Sequence, residues 1–118
     1  VDGIILVSDA MSGTGMPDGA YSLGGLAVTV RAGVARIANG ALAGSTLTLE
    51  RAVRNMRAAA GLSLPAALRM ASGTPARALG LERCIGSLAV GLDADLILMD
   101  DDVNVQMTIV GGVVEYPG

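Results

Sequence analysis

The feature that most limits what this chain can fold into is its opening run. Ile4-Ile5-Leu6-Val7 is apolar at every successive position, and the run passes through Ser8 to stop at Asp9. A strand with one wet face alternates apolar and polar residues, whereas a strand covered on both faces does not. Residues 4 to 8 therefore predict a short buried strand of a parallel sheet, with a carboxylate at its C-terminal end. That is where parallel α/β folds keep their active sites.

The rest of the composition fits an α/β protein. Hydrophobic residues make up 52% of the 118, enough to bury a core. With no Phe, no Trp and two Tyr, that core must be filled by Leu, Val, Ile, Ala and the six Met. The start, Val1-Asp2-Gly3, has neither an initiator Met nor a basic stretch. It reads as a chain already inside a fold and not as a signal peptide. No apolar run approaches the ~20 residues of a membrane span. Cys84 is the single cysteine, which excludes an internal disulfide and fits a reducing cytoplasm. A net charge of −3, without a basic block or stacking aromatics, argues against nucleic-acid binding.

Patterning along the chain supplies the elements. Met11 to Gly19 is rich in Gly and small polar residues and predicts a loop. Ala27–Arg31 and Val34–Ala38 flank Ala32-Gly33 and predict a hairpin, closed after Asn39-Gly40. Leu49, Ala52, Val53, Met56 and Ala60 recur at helical spacing. Ser45 or Thr46 is expected to cap this helix and Gly61 to end it, with Glu50 and Arg54 paired along it. A second helix is expected from Ser63, and a third with Thr74 as N-cap, Pro75 at its first position and Gly80 at its end. Beyond Gly86 the pattern turns to strands: Asp95–Met99, then Val105–Val110 and Val113–Tyr116 joined by Gly111-Gly112. A boundary falls near residues 86 to 92.

Few residues could carry chemistry. Asp9 could ligate a metal or move a proton to and from a metal-bound water. From position alone, a turn-capping aspartate is the better account. Gly13-Thr14-Gly15 could cradle an anion or act as a lid, but it matches no phosphate-binding fingerprint and reads first as a flexible connection. Asp100-Asp101-Asp102 reads as a solvated turn before a cation site. Cys84 has no His or Cys partner near it in sequence and reads as structural. The chain contains no histidine at all, although a metal hydrolase normally needs imidazole ligands.

Three motifs together carry a resemblance over nearly the whole chain. Leu6-Val7-Ser8-Asp9-Ala10-Met11-Ser12 followed by Pro17-Asp18-Gly19 resembles the last barrel strand of the N-acetylglucosamine-6-phosphate deacetylases. Asn39-Gly40-Ala41-Leu42-Ala43-Gly44-Ser45-Thr46-Leu47-Thr48-Leu49 resembles the same family's substrate-contact segment and the helix after it. Gly86-Ser87-Leu88-Ala89-Val90-Gly91-Leu92-Asp93-Ala94-Asp95-Leu96 resembles a signature shared across the wider amidohydrolase superfamily. The first two, with Leu23-Gly24-Gly25 between them, are the specific ones.

The resemblance implies an α/β fold: the C-terminal fragment of a (β/α)8 barrel plus part of a small β-sandwich. Residues 1–88 would give strand eight, a hairpin insertion at about 22–38 and the closing helices. Residues 89–118 would give strands of the sandwich. It implies hydrolysis of N-acetylglucosamine 6-phosphate to glucosamine 6-phosphate and acetate. Asp9 would be the catalytic aspartate, and Leu42, Ala43 and Gly44 would line the sugar pocket. A divalent metal, zinc or iron, is implied for the intact enzyme, with no ligand on this chain, as are a homodimer and a cytoplasmic setting. The isolated chain is expected to be inactive. Two alternatives remain open: another amidohydrolase acting on a different amide or cyclic amide, and a non-catalytic interaction module.

Overall fold

The computed structural model describes residues 2–117. The chain forms two compact units. One is Val7–Leu49; the other runs from Glu50 onward and takes in the N-terminal segment that ends at Leu6.

The first unit is a three-stranded antiparallel meander of β1 (Gly19–Leu23), β2 (Leu26–Arg31) and β3 (Val34–Ile37), in that order across the sheet. The expected hairpin is present, with Arg31 opposite Val34 across the Ala32-Gly33 turn. Both turn residues have positive φ (49° and 72°), the primed geometry that matches strand twist but is costly for alanine. Asp18 offsets that cost. Its two carboxylate oxygens accept from the Ala32 amide and, at 3.2 Å, from the Gly33 amide. β1 is an addition to the expected hairpin, reached through a second two-residue turn at Gly24-Gly25. Val28 and Val30 on β2 alternate inward and form the core with Met11, Ala35 and Ala43, with Tyr21 and Ile37 against it.

The second unit contains α1 (Leu49–Ala60), α2 (Leu64–Ala71), α3 (Gly73–Ala78) and a second antiparallel sheet of β4 (Leu96–Met99), β5 (Val105–Val110) and β6 (Val113–Pro117). Val53, Ala67 and Val103 are its buried centre, with Leu6, Met56, Leu64, Leu68, Ala71 and Met99 packed around them. Fully burying a side chain the size of Val53 is worth ~1.5–3 kcal/mol over leaving it exposed.

Three tight connections fix this unit. The amide of Leu81 donates to the Ala76 carbonyl at 2.8 Å, and that of Gly80 to the Arg77 carbonyl at 3.1 Å. Together they make the left-handed C-terminal cap that the sequence placed at Gly80. Gly86 lies against α3 so closely that a Cβ on it would stand 2.6 Å from the Cβ of Ala76. Asp95 accepts from the Gly111 amide at 2.8 Å, so the β5–β6 turn is held by an aspartate much as the β2–β3 turn is held by Asp18.

Arg54 ties the β4–β5 turn to α1. Its Nε donates to the Asp102 carbonyl at 2.8 Å, and its Nη2 to the Val103 carbonyl at 2.9 Å and to Asn104 Oδ1 at 3.0 Å. Val103 is 1% exposed and sits at φ +64°, an uncommon place for a β-branched residue.

Three sequence expectations change. Ile4 to Ser8 forms no ladder among the described residues; the Leu6 amide donates to the Met70 carbonyl at 2.9 Å instead. A parallel strand needs a neighbour, and no other segment among the described residues supplies one to Ile4 to Ser8. Ser45 and Thr46 are not the cap of α1, whose first helical residue is Leu49 and which Thr48 directly precedes. Ser45 Oγ accepts from the Leu47 amide at 2.7 Å, and Thr46 donates to the Gly33 carbonyl. Thr74 lies inside α3, not at its N-cap, and is 4% exposed with no hydrogen-bond partner for Oγ1 among the described residues.

Candidate functional site

Asp9 occupies a left-handed backbone conformation with φ +49°, and it is exposed. Aspartate tolerates this region better than most residues, yet such positions persist only where the surroundings hold them. The surroundings are the 42–45 segment. The amide of Ser45 donates to the Asp9 carbonyl at 2.7 Å, and the Ser45 carbonyl accepts from the Met11 amide at 2.9 Å. The two bonds make a parallel bridge between Ala10 and Ser45. Gly44, at φ +67°, packs directly on the Asp9 carbonyl and on Met11.

The other candidate residues lie along the same segment. Ala43 is buried in the meander core, and its amide donates to the Ala35 carbonyl at 3.1 Å. Leu42 bridges Arg36 on β3 and leaves its side chain 67% exposed. The structure thus brings Asp9, Leu42, Ala43 and Gly44 together, with Ala43 as the anchor and Asp9 and Leu42 presented outward.

The loop after Asp9 is pinned. Thr14 donates through Oγ1 to the Ser45 carbonyl at 2.9 Å and through its amide to the Met11 carbonyl at 2.9 Å. Gly13 is buried beneath the Tyr21 ring, and the Tyr21 hydroxyl donates to the Pro17 carbonyl. Asp18, in the motif next to Asp9, serves the Ala32-Gly33 turn. Ser45 and Thr14 are the residues that sequence reasoning did not mark for this role. Ser45 acts mostly through its backbone, which leaves no trace in residue identity.

The remaining polar residues do other work. Asp100 accepts from the amides of Asp102 and Asn104 at 3.0 and 2.8 Å and from Asn104 Nδ2 at 2.8 Å. The Asn104 side-chain and backbone bonds, joined by the Asp102 amide and the nearby Arg54 charge, outweigh the slight cost of burial and hold its pKa below the ordinary 3.8. Cys84 is exposed. No three acidic or thiol groups converge as a metal-binding cluster among the described residues.

The amidohydrolase family profile matches residues 6–114, and the chain belongs to that family. Within it the relatives are sugar-phosphate deacetylases. The chain is 45% identical to the N-acetylgalactosamine-6-phosphate deacetylase of Escherichia coli O157:H7, over 92% of this chain and 29% of that protein. It is equally identical to a second relative from Escherichia coli strain K12, over 92% of this chain and 65% of that one. The crystal structure of N-acetylglucosamine-6-phosphate deacetylase from Thermotoga maritima superposes with a TM-score of 0.90 at 43% identity, over 99% of this chain and 32% of that chain. A mutant of the Mycobacterium smegmatis enzyme, solved with N-acetyl-D-glucosamine-6-phosphate, superposes with a TM-score of 0.81 at 44% identity, over 93% and 30%. The resemblance carried by the three motifs is borne out. This chain spans less than two thirds of each of these relatives, and under a third of most.

Proposed function

We propose that this chain carries the catalytic aspartate and part of the sugar pocket of an amino-sugar 6-phosphate deacetylase. The observation that carries the reading is Asp9 itself. It is an exposed carboxylate in a left-handed conformation, held by its carbonyl to the segment that resembles the family's sugar-contact region. N-Acetylglucosamine 6-phosphate is the substrate the motifs favour. N-Acetylgalactosamine 6-phosphate is the second reading, favoured by the Escherichia coli O157:H7 relative, an N-acetylgalactosamine-6-phosphate deacetylase.

In the intact enzyme a divalent metal, zinc or iron, would supply activation of the water and of the amide carbonyl. The residues described here do not fit that ion: the chain has no histidine, and no donor cluster forms around Asp9. The ligands are therefore assigned to earlier barrel strands, and the isolated chain is expected to be inactive. What this chain's residues do is narrower. Asp9 takes the proton from water as its oxygen bonds to the acetamide carbon. It returns that proton to the nitrogen as the C–N bond breaks, leaving the amino sugar and acetate. Leu42 and the backbone of Ala43 and Gly44 border the sugar.

On this reading residues 1–88 belong to a (β/α)8 barrel and residues 89–118 to a small β-sandwich. Two neighbouring residues of β4, Ile97 and Leu98, are 58% and 48% exposed although they point to opposite faces. Exposed apolar residues on both sides of one strand are what part of a sandwich shows without its cover. A homodimer and a cytoplasmic setting complete the proposal; among the described residues no helix is long and apolar enough to cross a membrane.

The test is acetate release by the intact metal-loaded enzyme from both N-acetyl hexosamine 6-phosphates and from their unphosphorylated forms. Release from neither phosphate overturns the reading. Release from one of them fixes the epimer.

A further inference from the structure

We propose that Thr14 is a positioning residue for Asp9. The inference rests on the function proposed above. Ser45 is the hub of the site: its amide, in the peptide that joins it to Gly44, holds the Asp9 carbonyl, and its carbonyl, in the peptide that joins it to Thr46, collects Met11 and Thr14. Asp9 sits at φ +49° and would relax toward commoner conformations if the Ser45 backbone could shift. The Met11 amide alone leaves the Ser45 carbonyl one bond about which to tilt. The Thr14 hydroxyl, arriving from the turn closed by its own amide on the Met11 carbonyl, is the second bond; it fixes the Ser45–Thr46 peptide and so holds in place the Ser45 backbone whose amide meets Asp9.

The direction of the Asp9 carboxylate relative to Leu42, Ala43 and Gly44 is thus set partly by a hydroxyl five residues along a loop. Thr14 touches no reacting atom in this scheme. Its removal acts on the geometry of proton transfer and leaves the sugar contacts in place. Small misplacements of a reacting group cost rate far more than affinity.

The experiment compares Thr14→Val, Thr14→Ala and Thr14→Ser in the intact enzyme, measuring kcat, KM and thermal midpoint. The expected result is a fall in kcat of about tenfold for Val and Ala. KM should stay within about twofold and Ser should recover most of the rate, because only the hydroxyl matters. Unchanged kcat in Val and Ala overturns the inference, as does a loss that Ser does not restore. Val and Ala variants that both fail to fold, beside a normal Ser variant, assign the hydroxyl to stability alone and overturn it too. A wild-type enzyme inactive on both sugar phosphates sinks the proposed function instead, a different outcome from an active wild type with an indifferent Val variant.

Discussion

Gly44 lies so close to Asp9 that a Cβ on it would stand 3.1 Å from the Asp9 carbonyl oxygen and 3.3 Å from the Met11 Cβ. The same glycine has φ +67°, so a side chain there is strained as well as crowded. The left-handed region alone costs a non-glycine residue ~1–2 kcal/mol. Gly44→Ala is expected to lower the thermal midpoint and, in the intact enzyme, to lower kcat, since the easiest relief is to push the Asp9 carbonyl away. Stability and kcat both at the wild-type level would show that the packing is looser than these distances imply.

The Ala32-Gly33 turn gives a prediction of opposite sign. Ala32 holds φ +49° without the tolerance of asparagine, and Asn-Gly is the preferred pair for this geometry. Ala32→Asn is expected to stabilise the protein by ~0.5–1 kcal/mol. Asp18→Ala is expected to destabilise it by about 1–3 kcal/mol, because two turn amides lose their acceptor. Chemical denaturation of the two variants checks both signs. An Asp18→Ala variant as stable as wild type would show that the turn gains nothing from the two carboxylate bonds.

Much of the meander and of the second sheet was legible for the same reason: two strands flank each Ala32-Gly33 or Gly111-Gly112 pair, and such pairs set register by themselves. β1 was not. Gly19–Leu23 has little apolar alternation, and it becomes a strand through Gly24-Gly25 and its pairing with β2. Ile4 to Ser8 failed in the other direction, since local pattern marks a buried strand but the ladder must come from elsewhere. Ser45 and Thr46 have the right chemistry for a helix cap, but the Ser45 hydroxyl closes a local turn on the Leu47 amide and that of Thr46 reaches back to the Gly33 carbonyl. Asp9 was legible as a residue through its motif. Its left-handed backbone and its tie to Ser45 depend on contacts 36 residues apart, which no local pattern encodes.

Asp100 gives a pH dependence. Its folded pKa lies below the ordinary 3.8, so folding favours the charged form. The stability this adds is fully present above the ordinary value and is lost as pH falls through the folded one. Asp100→Ala should therefore have a lower thermal midpoint than wild type at pH 7, and the gap should narrow as pH drops below 3.8. A gap that stays constant down to the acid limit would mean that the turn draws nothing from the charge.

Asp9→Asn separates catalysis from architecture. The structural bond of Asp9 runs through its carbonyl, to the Ser45 amide, and its side chain is exposed. Asparagine keeps the size and tolerates the left-handed backbone as well as aspartate does. The thermal midpoint of the intact enzyme should thus move little. Asparagine cannot accept a proton from water at neutral pH, and losing a general base costs about 10²–10⁴-fold in kcat. Substrate affinity, measured directly by calorimetry, should survive, since the proposed sugar contacts belong to residues 42 to 44. Asp9→Ala removes the same base but also places a residue with no left-handed preference at φ +49°, so it should lose stability as well as rate. The contrast between the two variants is the sharper test. Equal losses of rate with unequal losses of stability identify the carboxylate as the base, whereas an Asn variant within tenfold of wild type reduces Asp9 to a turn residue.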